Sequence, residues 1–146
     1  MKRLIALLMA LMMMILPAVA EEQQLTPADF GWPDAAGYVR ITAGSDYAWY
    51  PLPATEEETF DVTIQLTDGE GSLYKNVVRI TPNGTYMLSS NCDNQDCIGE
   101  GEVTLENMST RVLANWIVCL PHQVSVELYS AQEIVDMLLS AVKSAE

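Results

Sequence analysis

Strict alternation of apolar and polar residues between Thr59 and Thr67 constrains the fold of this chain more than any other feature of its 146 residues. One phase of the alternation is polar, and the other holds Phe60, Val62, Ile64 and Leu66. A period of two predicts a half-buried β-strand, because successive side chains of a strand point to opposite faces of the sheet. The rest of the chain must therefore provide a layer that covers the apolar face.

Neighbouring segments have similar patterns and predict an all-β fold. Turn signals at residues 68–71 and 82–84 predict that the first strand continues into a three-stranded meander. Its second and third strands are residues 73–80 and 85–88. Further strands are predicted at residues 38–42, 46–53, 99–105, 112–120 and 124–129. The prolines in segment 46–53 restrict it to a sheet edge or an extended segment. The predicted architecture is a small antiparallel barrel or sandwich of about six to eight short strands.

One amphipathic helix is predicted after the last strand. Ser130 and Glu133 have the spacing of a capping box, which satisfies free backbone N–H groups at a helix start. Apolar residues then recur at helical spacing, so residues 131–144 are expected to form a helix that packs on the sheet. The domain assignment is a β-domain at residues 37–129, followed by a C-terminal helical segment at residues 130–146.

The first twenty residues have the form of a secretory signal peptide. A basic start at Lys2 and Arg3 precedes a continuous apolar run, and a small-residue cleavage signal ends at Ala20. The apolar run is shorter than the roughly 20 residues that a membrane-spanning helix needs. Removal of residues 1–20 would leave residues 21–36 as a leader and no membrane span. The protein is therefore expected to be secreted or held in the cell envelope.

A strong negative charge argues against two classes of partner. The chain has 20 acidic and 7 basic residues and a formal net charge of −13, and the signal peptide accounts for two of the basic residues and none of the acidic ones. Such a chain repels nucleic acid, whose binding depends on Lys and Arg contacts to phosphate. It also lacks a basic patch that would attract anionic lipid.

All three cysteines and the only histidine lie between residues 89 and 122. Four residues separate Cys92 from Cys97, and two separate Cys119 from His122. This spacing leaves three interpretations open: a disulfide with one free thiol, a metal site, and a reactive thiol.

The disulfide interpretation follows from export, because the cysteines of secreted domains are usually oxidised. Three cysteines allow three single pairings, and each pairing leaves one cysteine over. A bridge from Cys92 or Cys97 to Cys119 would tie the loop to the predicted strand 112–120. It would constrain the unfolded chain more than a Cys92–Cys97 bridge, which closes a short loop.

The metal interpretation uses all four side chains. Cys119 and His122 have the spacing of a common zinc half-site, and Cys92 and Cys97 would complete a set of three thiolates and one imidazole. The same ligands suit iron. In the third interpretation, His122 lowers the pKa of Cys119 and makes its thiol reactive. No third residue completes a catalytic constellation, so an enzyme is not predicted.

Three segments around these residues resemble the NusG domain II family. They are Asn91-Cys92 with Asp96-Cys97-Ile98 and Gly101, the segment Ile117-Val118-Cys119-Leu120-Pro121-His122, and Asn76-Val77-Val78-Arg79-Ile80 followed by Met87. The resemblance spans residues 37–129. The chain departs from the family pattern at Asp93, where members often have proline, in the long segment 101–116, and in its added C-terminal helix.

The resemblance implies an all-β, barrel-like domain. The family is named after an insert in bacterial transcription factors, but an exported acidic member would have no transcription partner. Some membrane-linked or exported relatives are associated with flavin and quinone electron transfer at the cell envelope, which implies a redox role for the cysteines.

Two functions are therefore expected. The first is a non-enzymatic β-domain that binds an envelope or extracellular protein or assists the assembly of a complex. The alternative is a redox or metal-binding accessory of envelope electron transfer, with zinc or iron as the metal. Its site would consist of Cys92, Cys97, Cys119 and His122.

Overall fold

A computed structural model describes residues 24–145, and the predicted signal peptide at residues 1–20 lies outside them. The described residues form two antiparallel four-stranded sheets, ordered β2-β1-β8-β7 and β3-β4-β5-β6. The strands are β1 (Gly37–Ala43), β2 (Asp46–Pro51), β3 (Phe60–Thr67), β4 (Leu73–Ile80), β5 (Gly84–Ser90), β6 (Val103–Thr104), β7 (Trp116–Cys119) and β8 (Val124–Ser130).

Two α-helices and two short 3₁₀ helices accompany the strands in the described residues. Helix α1 is Asp96–Gly99, and helix α2 is Ala131–Lys143. The 3₁₀ helices are Pro27–Phe30 and Glu56–Glu58. The predicted all-β fold with a C-terminal helix is confirmed, and its two sheets form a sandwich, not a closed barrel.

Strands β3, β4 and β5 form the predicted meander. Phe60 pairs with Ile80 and Thr67 pairs with Leu73, so β3 and β4 are in register over their whole length. Burial alternates along β3, and on β4 the same alternation buries Val78 and Ile80 completely. The period-two pattern of the sequence therefore corresponds to one face directed at the core.

The core lies between the two sheets. Its fully or almost fully buried side chains include Val39, Ile41, Ile117, Val126 and Leu128 from the first sheet and Val78, Ile80, Met87 and Val103 from the second. Burial of one such aliphatic side chain contributes about 1.5–3 kcal/mol, so this layer dominates the stability of the domain. All three cysteines belong to the same buried cluster.

Two of the predicted strands are much shorter in the structure. The segment 99–105 contributes only the two residues of β6, and the segment 112–120 becomes a strand only at Trp116. Gly101 has a positive φ of 73°, a left-handed conformation that suits glycine and interrupts a strand. The residues just before Trp116 form consecutive turns instead of sheet.

Helix α2 forms where the sequence predicts it. The Ser130 hydroxyl accepts a hydrogen bond from the Glu133 N–H, and the Glu133 carboxylate accepts one from the Ser130 N–H at 2.7 Å. Ile134 and Val135 are buried, and the helix packs against β1, β8 and the first 3₁₀ helix. Within residues 24–145, no helix is both long enough and apolar enough to cross a bilayer.

The described part of the predicted leader lies against the first sheet. The Trp32 ring meets the rings of Tyr38 and Trp49 edge to face, with centroid distances of 5.2 and 5.3 Å. The Tyr38 hydroxyl also donates a hydrogen bond to the Pro33 carbonyl oxygen. These contacts attach the leader to β1 and β2.

Candidate thiol site

The three cysteines converge at one end of the sandwich, although each comes from a different element. Cys92 follows β5, Cys97 lies in α1, and Cys119 ends β7. Their Sγ atoms all lie within 4.8 Å of one another, and the Cys92 and Cys97 sulfurs are 3.7 Å apart. Each cysteine is at most 4% exposed.

The sulfurs are close but not bonded. All three cysteines are free thiols, and 3.7 Å between Cys92 and Cys97 is well above the roughly 2 Å of a disulfide bond. The predicted disulfide is therefore absent from this structure. The disulfide interpretation also required one cysteine to be left over. Because all three sulfurs lie together, the structure does not single out which cysteine that would be.

A short loop brings Cys92 and Cys97 together. Gln95 has a positive φ of 57°, which reverses the chain just before α1. Its side-chain amide donates hydrogen bonds to the carbonyl oxygens of Ser90 at 2.8 Å and Cys92 at 2.7 Å. These two hydrogen bonds hold the loop in a compact turn, and the thiols of Cys92 and Cys97 lie next to each other.

The thiols differ in their tendency to ionise. Burial alone raises the pKa of Cys92, but the polar groups of Ser90 and Gln95, together with the neighbouring thiols, outweigh burial and lower this pKa. Burial, reinforced by Cys119 and Cys92, raises the pKa of Cys97 to about 12. Cys92 is therefore the better thiolate, and the thiolate is the form that binds metal or attacks a disulfide.

His122 lies next to the thiol cluster but outside it. The ring is 3% exposed and stacks on Tyr74, with centroids 4.6 Å apart. Its Nδ1 atom lies 2.7 Å from the Asn76 carboxamide oxygen. The set of possible ligand atoms within 4.8 Å of one another contains the three sulfurs and not this ring. The imidazole thus makes a hydrogen bond with Asn76 and a stacking contact with Tyr74.

Ser90 connects His122 with the thiols, and sequence reasoning missed it. The Ser90 hydroxyl oxygen lies 3.5 Å from His122 Nδ1 and 3.8 Å from Cys119 Sγ. Asn76, which contacts both Ser90 and His122, was missed as well. It occupies the buried phase of β4 between Tyr74 and Val78, and a polar residue in an apolar phase is a signal that could have identified it.

A cleft of about 300 Å³ opens beside the cluster. Cys97 and Cys119 line it together with Glu100, Leu113 and Leu120. The Glu100 carboxylate accepts a hydrogen bond from a backbone N–H of β7 at 2.8 Å, and burial raises the pKa of this carboxyl. Two of the three thiols therefore border a space that a small group could enter.

The donor set fits a metal that prefers thiolates. Around a tetrahedral zinc ion with Zn–S bonds of about 2.3 Å, the sulfurs lie roughly 3.8 Å apart. The Cys92–Cys97 separation of 3.7 Å is close to that value, and Cys119 completes a compact buried triad. The structure thus assembles three of the four predicted ligands, and His122 lies outside that set in this conformation.

Solved structures with weak similarity come from three bacteria. The Lin0431 protein of Listeria innocua is 18% identical, with 64% of this chain and 95% of that chain covered and a TM-score of 0.47. A DUF1312 family protein of Enterococcus faecalis is 11% identical, with 65% and 98% covered and a TM-score of 0.46. A DUF1312 family protein of Ruminococcus gnavus is 23% identical, with 64% and 99% covered and a TM-score of 0.41.

A comparison with curated proteins finds no match. The NusG domain II family, in contrast, matches residues 4–132, which is most of the chain. That match includes the segments around the three cysteines. The chain belongs to the NusG domain II family.

Proposed function

We propose that this protein is an exported, non-enzymatic accessory of the cell envelope whose three-cysteine site binds a thiophilic metal ion, with zinc as the first choice and iron as the second. The observation that carries the proposal is the convergence of three buried sulfurs within 4.8 Å. Cys92, Cys97 and Cys119 are the ligands.

Physical chemistry supports a metal at this position. Soft thiolate ligands select zinc, copper(I) and iron–sulfur centres over hard cations such as calcium. A small domain buries only about two thirds of the surface of its unfolded chain, so the free energy of metal binding would add directly to folding stability. The metal would supply a fixed positive charge that holds the three sulfurs as thiolates.

Element analysis tests the proposal. The reduced full chain, purified without chelator and supplied with zinc, is expected to retain one ion per molecule. Replacing any one of Cys92, Cys97 and Cys119 with serine should reduce retention strongly. Ser89→Ala, an exposed change on β5, serves as the matched control. Absence of bound metal in the reduced wild-type protein would refute the proposal.

A redox function of the same thiols is distinguished by counting them. Cys92 and Cys97 lie 3.7 Å apart, and exchange with a disulfide of a partner protein would bridge them as the partner's disulfide is reduced to two thiols. Protein taken from its native compartment would then lack two alkylatable thiols and contain no metal. A metal-bound protein regains all three thiols when the metal is chelated.

Binding of an envelope protein is the second candidate function. Leu113 and Leu120 both line the cleft and are 42% and 79% exposed, so together they present apolar surface that a partner could cover. A photo-crosslinking residue at position 120 should capture an envelope neighbour in cells. The same residue at Leu73, which is 52% exposed on β4, is the control. Equal or no capture at the two positions would count against this candidate.

A further inference from the structure

A small polar network adjoins the thiol cluster and has Ser90 at its centre. The Ser90 hydroxyl oxygen lies 3.1 Å from the Asn76 amide nitrogen and 3.2 Å from the Cys92 backbone nitrogen. It also lies 3.5 Å from His122 Nδ1 and 3.8 Å from Cys119 Sγ. Four groups thus compete for one hydroxyl, which can donate one hydrogen bond and accept two.

The Asn76 orientation determines where the Ser90 proton goes. The amide nitrogen of Asn76 lies 3.5 Å from the Met87 sulfur, a weak acceptor, so an amide N–H and not a carbonyl oxygen suits that position. The carboxamide oxygen then faces His122 Nδ1 at 2.7 Å. This nitrogen must carry a proton and donate it to Asn76, because a carbonyl oxygen cannot donate.

The remaining assignments follow by elimination. Ser90 accepts hydrogen bonds from Asn76 and from the Cys92 N–H, which uses both of its acceptor sites. His122 Nδ1 already bears hydrogen and cannot accept one from Ser90. The Cys119 sulfur is the acceptor that remains within reach of the Ser90 proton.

We propose that Ser90 is a positioning residue that donates a hydrogen bond to the Cys119 sulfur, and that Asn76 and His122 align Ser90 instead of binding the metal. This inference rests on the proposed metal site. Three thiolates around a divalent ion leave a net negative charge in a buried place, and a donated hydrogen bond offsets part of that charge. Such outer partners orient a ligand, and their loss typically weakens metal binding about 10–100-fold.

The test compares zinc affinities, measured by competition with a colorimetric chelator. Ser90→Ala is expected to bind zinc about 10–100-fold more weakly than the wild-type chain. Ser90→Thr keeps the hydroxyl and should restore most of the affinity. Ser89→Ala removes the neighbouring, exposed hydroxyl and should bind as the wild type does. Cobalt-loaded protein provides a second readout, because loss of the hydrogen bond should shift the thiolate-to-cobalt charge-transfer band in Ser90→Ala but not in Ser90→Thr or Ser89→Ala.

A second variant tests the network without removing Ser90. In Asn76→Asp, a carboxylate oxygen replaces the amide group that donates to Ser90, so the hydroxyl proton is drawn away from Cys119. Zinc affinity should again fall and the cobalt band should shift in the same direction. Asn76→Asp also decides the question if Ser90→Ala does not fold.

The outcomes separate the two proposals. A reduced wild-type chain that binds no zinc overturns the metal site and the role of Ser90 together. A wild-type chain that binds zinc, with unchanged affinity and an unchanged cobalt band in Ser90→Ala, overturns the role of Ser90 and leaves the metal site standing. Strong loss of zinc binding in Ser90→Thr would also contradict the role of Ser90, because this variant keeps the hydroxyl.

Discussion

Glu127 is a carboxylate buried in the first sheet, and its charge depends on two neighbouring side chains. It is 2% exposed and accepts hydrogen bonds from the Arg40 guanidinium at 2.6 Å and from the Tyr129 hydroxyl at 2.5 Å. The guanidinium also lies 5.6 Å from the centre of the Trp49 ring and 5.7 Å from that of Tyr129. These contacts offset the cost of removing a charge from water.

Replacing Arg40 with methionine is expected to destabilise the domain by about 3 kcal/mol, because Glu127 stays buried without its cationic partner. Urea unfolding followed by tryptophan fluorescence measures the loss. Arg79→Met is the matched control, since the Arg79–Asp61 pair is 36% exposed on both sides and such pairs contribute little. Equal losses in the two variants would contradict the importance of burial.

Tyr129 makes stability depend on pH in the alkaline range. Burial, with the hydrogen bond and the negative charge of Glu127, raises the pKa of Tyr129 to about 12, whereas a tyrosine of an unfolded chain has a pKa of about 10. The folded state therefore holds this proton more tightly. Its contribution to stability is complete below about pH 10 and is lost as the pH rises through about 12.

Tyr129→Phe is expected to flatten the alkaline decline of the unfolding free energy, measured by urea unfolding at a series of pH values. Tyr47→Phe changes a tyrosine that is 67% exposed and should keep the wild-type slope. If the Tyr129 variant also kept that slope, the buried phenol would not be the titrating group.

At the scale of elements, one side chain holds the turns that precede β7. Arg111 donates hydrogen bonds to the carbonyl oxygens of Ala114 at 2.8 Å, Trp116 at 3.0 Å and Glu100 at 2.8 Å. The Glu100 carboxylate in turn accepts the Val118 N–H at 2.8 Å. Together these bonds occupy the side of β7 that does not pair with β8.

Arg111→Ala is expected to lower the unfolding free energy by about 2 kcal/mol, because several hydrogen bonds from a charged group are lost. Amide hydrogen exchange should accelerate in β7 and in the turns before it. Arg111→Lys keeps the charge but not the planar fork and should recover only part of the loss. Unchanged exchange in β7 for the alanine variant would be the contrary result.

The elements differ in how far the sequence could predict them. Strands β3 and β4 were predictable, because each has one face in the core and its pattern is local. The turns before β7 were not, because they depend on Arg111 reaching Glu100, eleven residues away. A short apolar segment such as 112–120 has no local mark that separates a strand from a turn held by a distant side chain.

The same reasoning applies to the candidate site. Cysteine is rare in this chain, so its clustering was visible in the sequence. Asn76 and Ser90 are common polar residues, fourteen positions apart, and they become neighbours only because β4 pairs with β5 at that register. His122 was identified, but its partner could not be predicted because Asn76 lies 46 residues away.

At the scale of the whole molecule, the edges of the two sheets are protected unequally. β6 is two residues long, β2 ends at Pro51, and side chains occupy the outer side of β7. β3 is eight residues long and, among the described residues, pairs with β4 alone. A long edge with free backbone groups favours pairing with another chain.

Thr63→Lys, at an exposed position in the middle of β3, is expected to slow aggregation, because a lysine on an edge strand disfavours edge-to-edge pairing. Light scattering of concentrated protein in mild denaturant measures the rate. Ser125→Lys adds the same charge on β8, which pairs with both β1 and β7 at that position, and is the control. An equal effect of both variants would assign the change to net charge and not to the β3 edge.

The separate origins of the three sulfurs determine when the site can exist during biosynthesis. Cys119 is placed by the pairing of β7 with β8, and β8 is placed by β1, where Ser130 pairs with Gly37. A nascent chain that ends before β8 therefore has cysteines but no triad. Metal binding at this site would begin only after the last strand has been synthesised and docked. Bound metal would therefore be found only in molecules whose folding is complete.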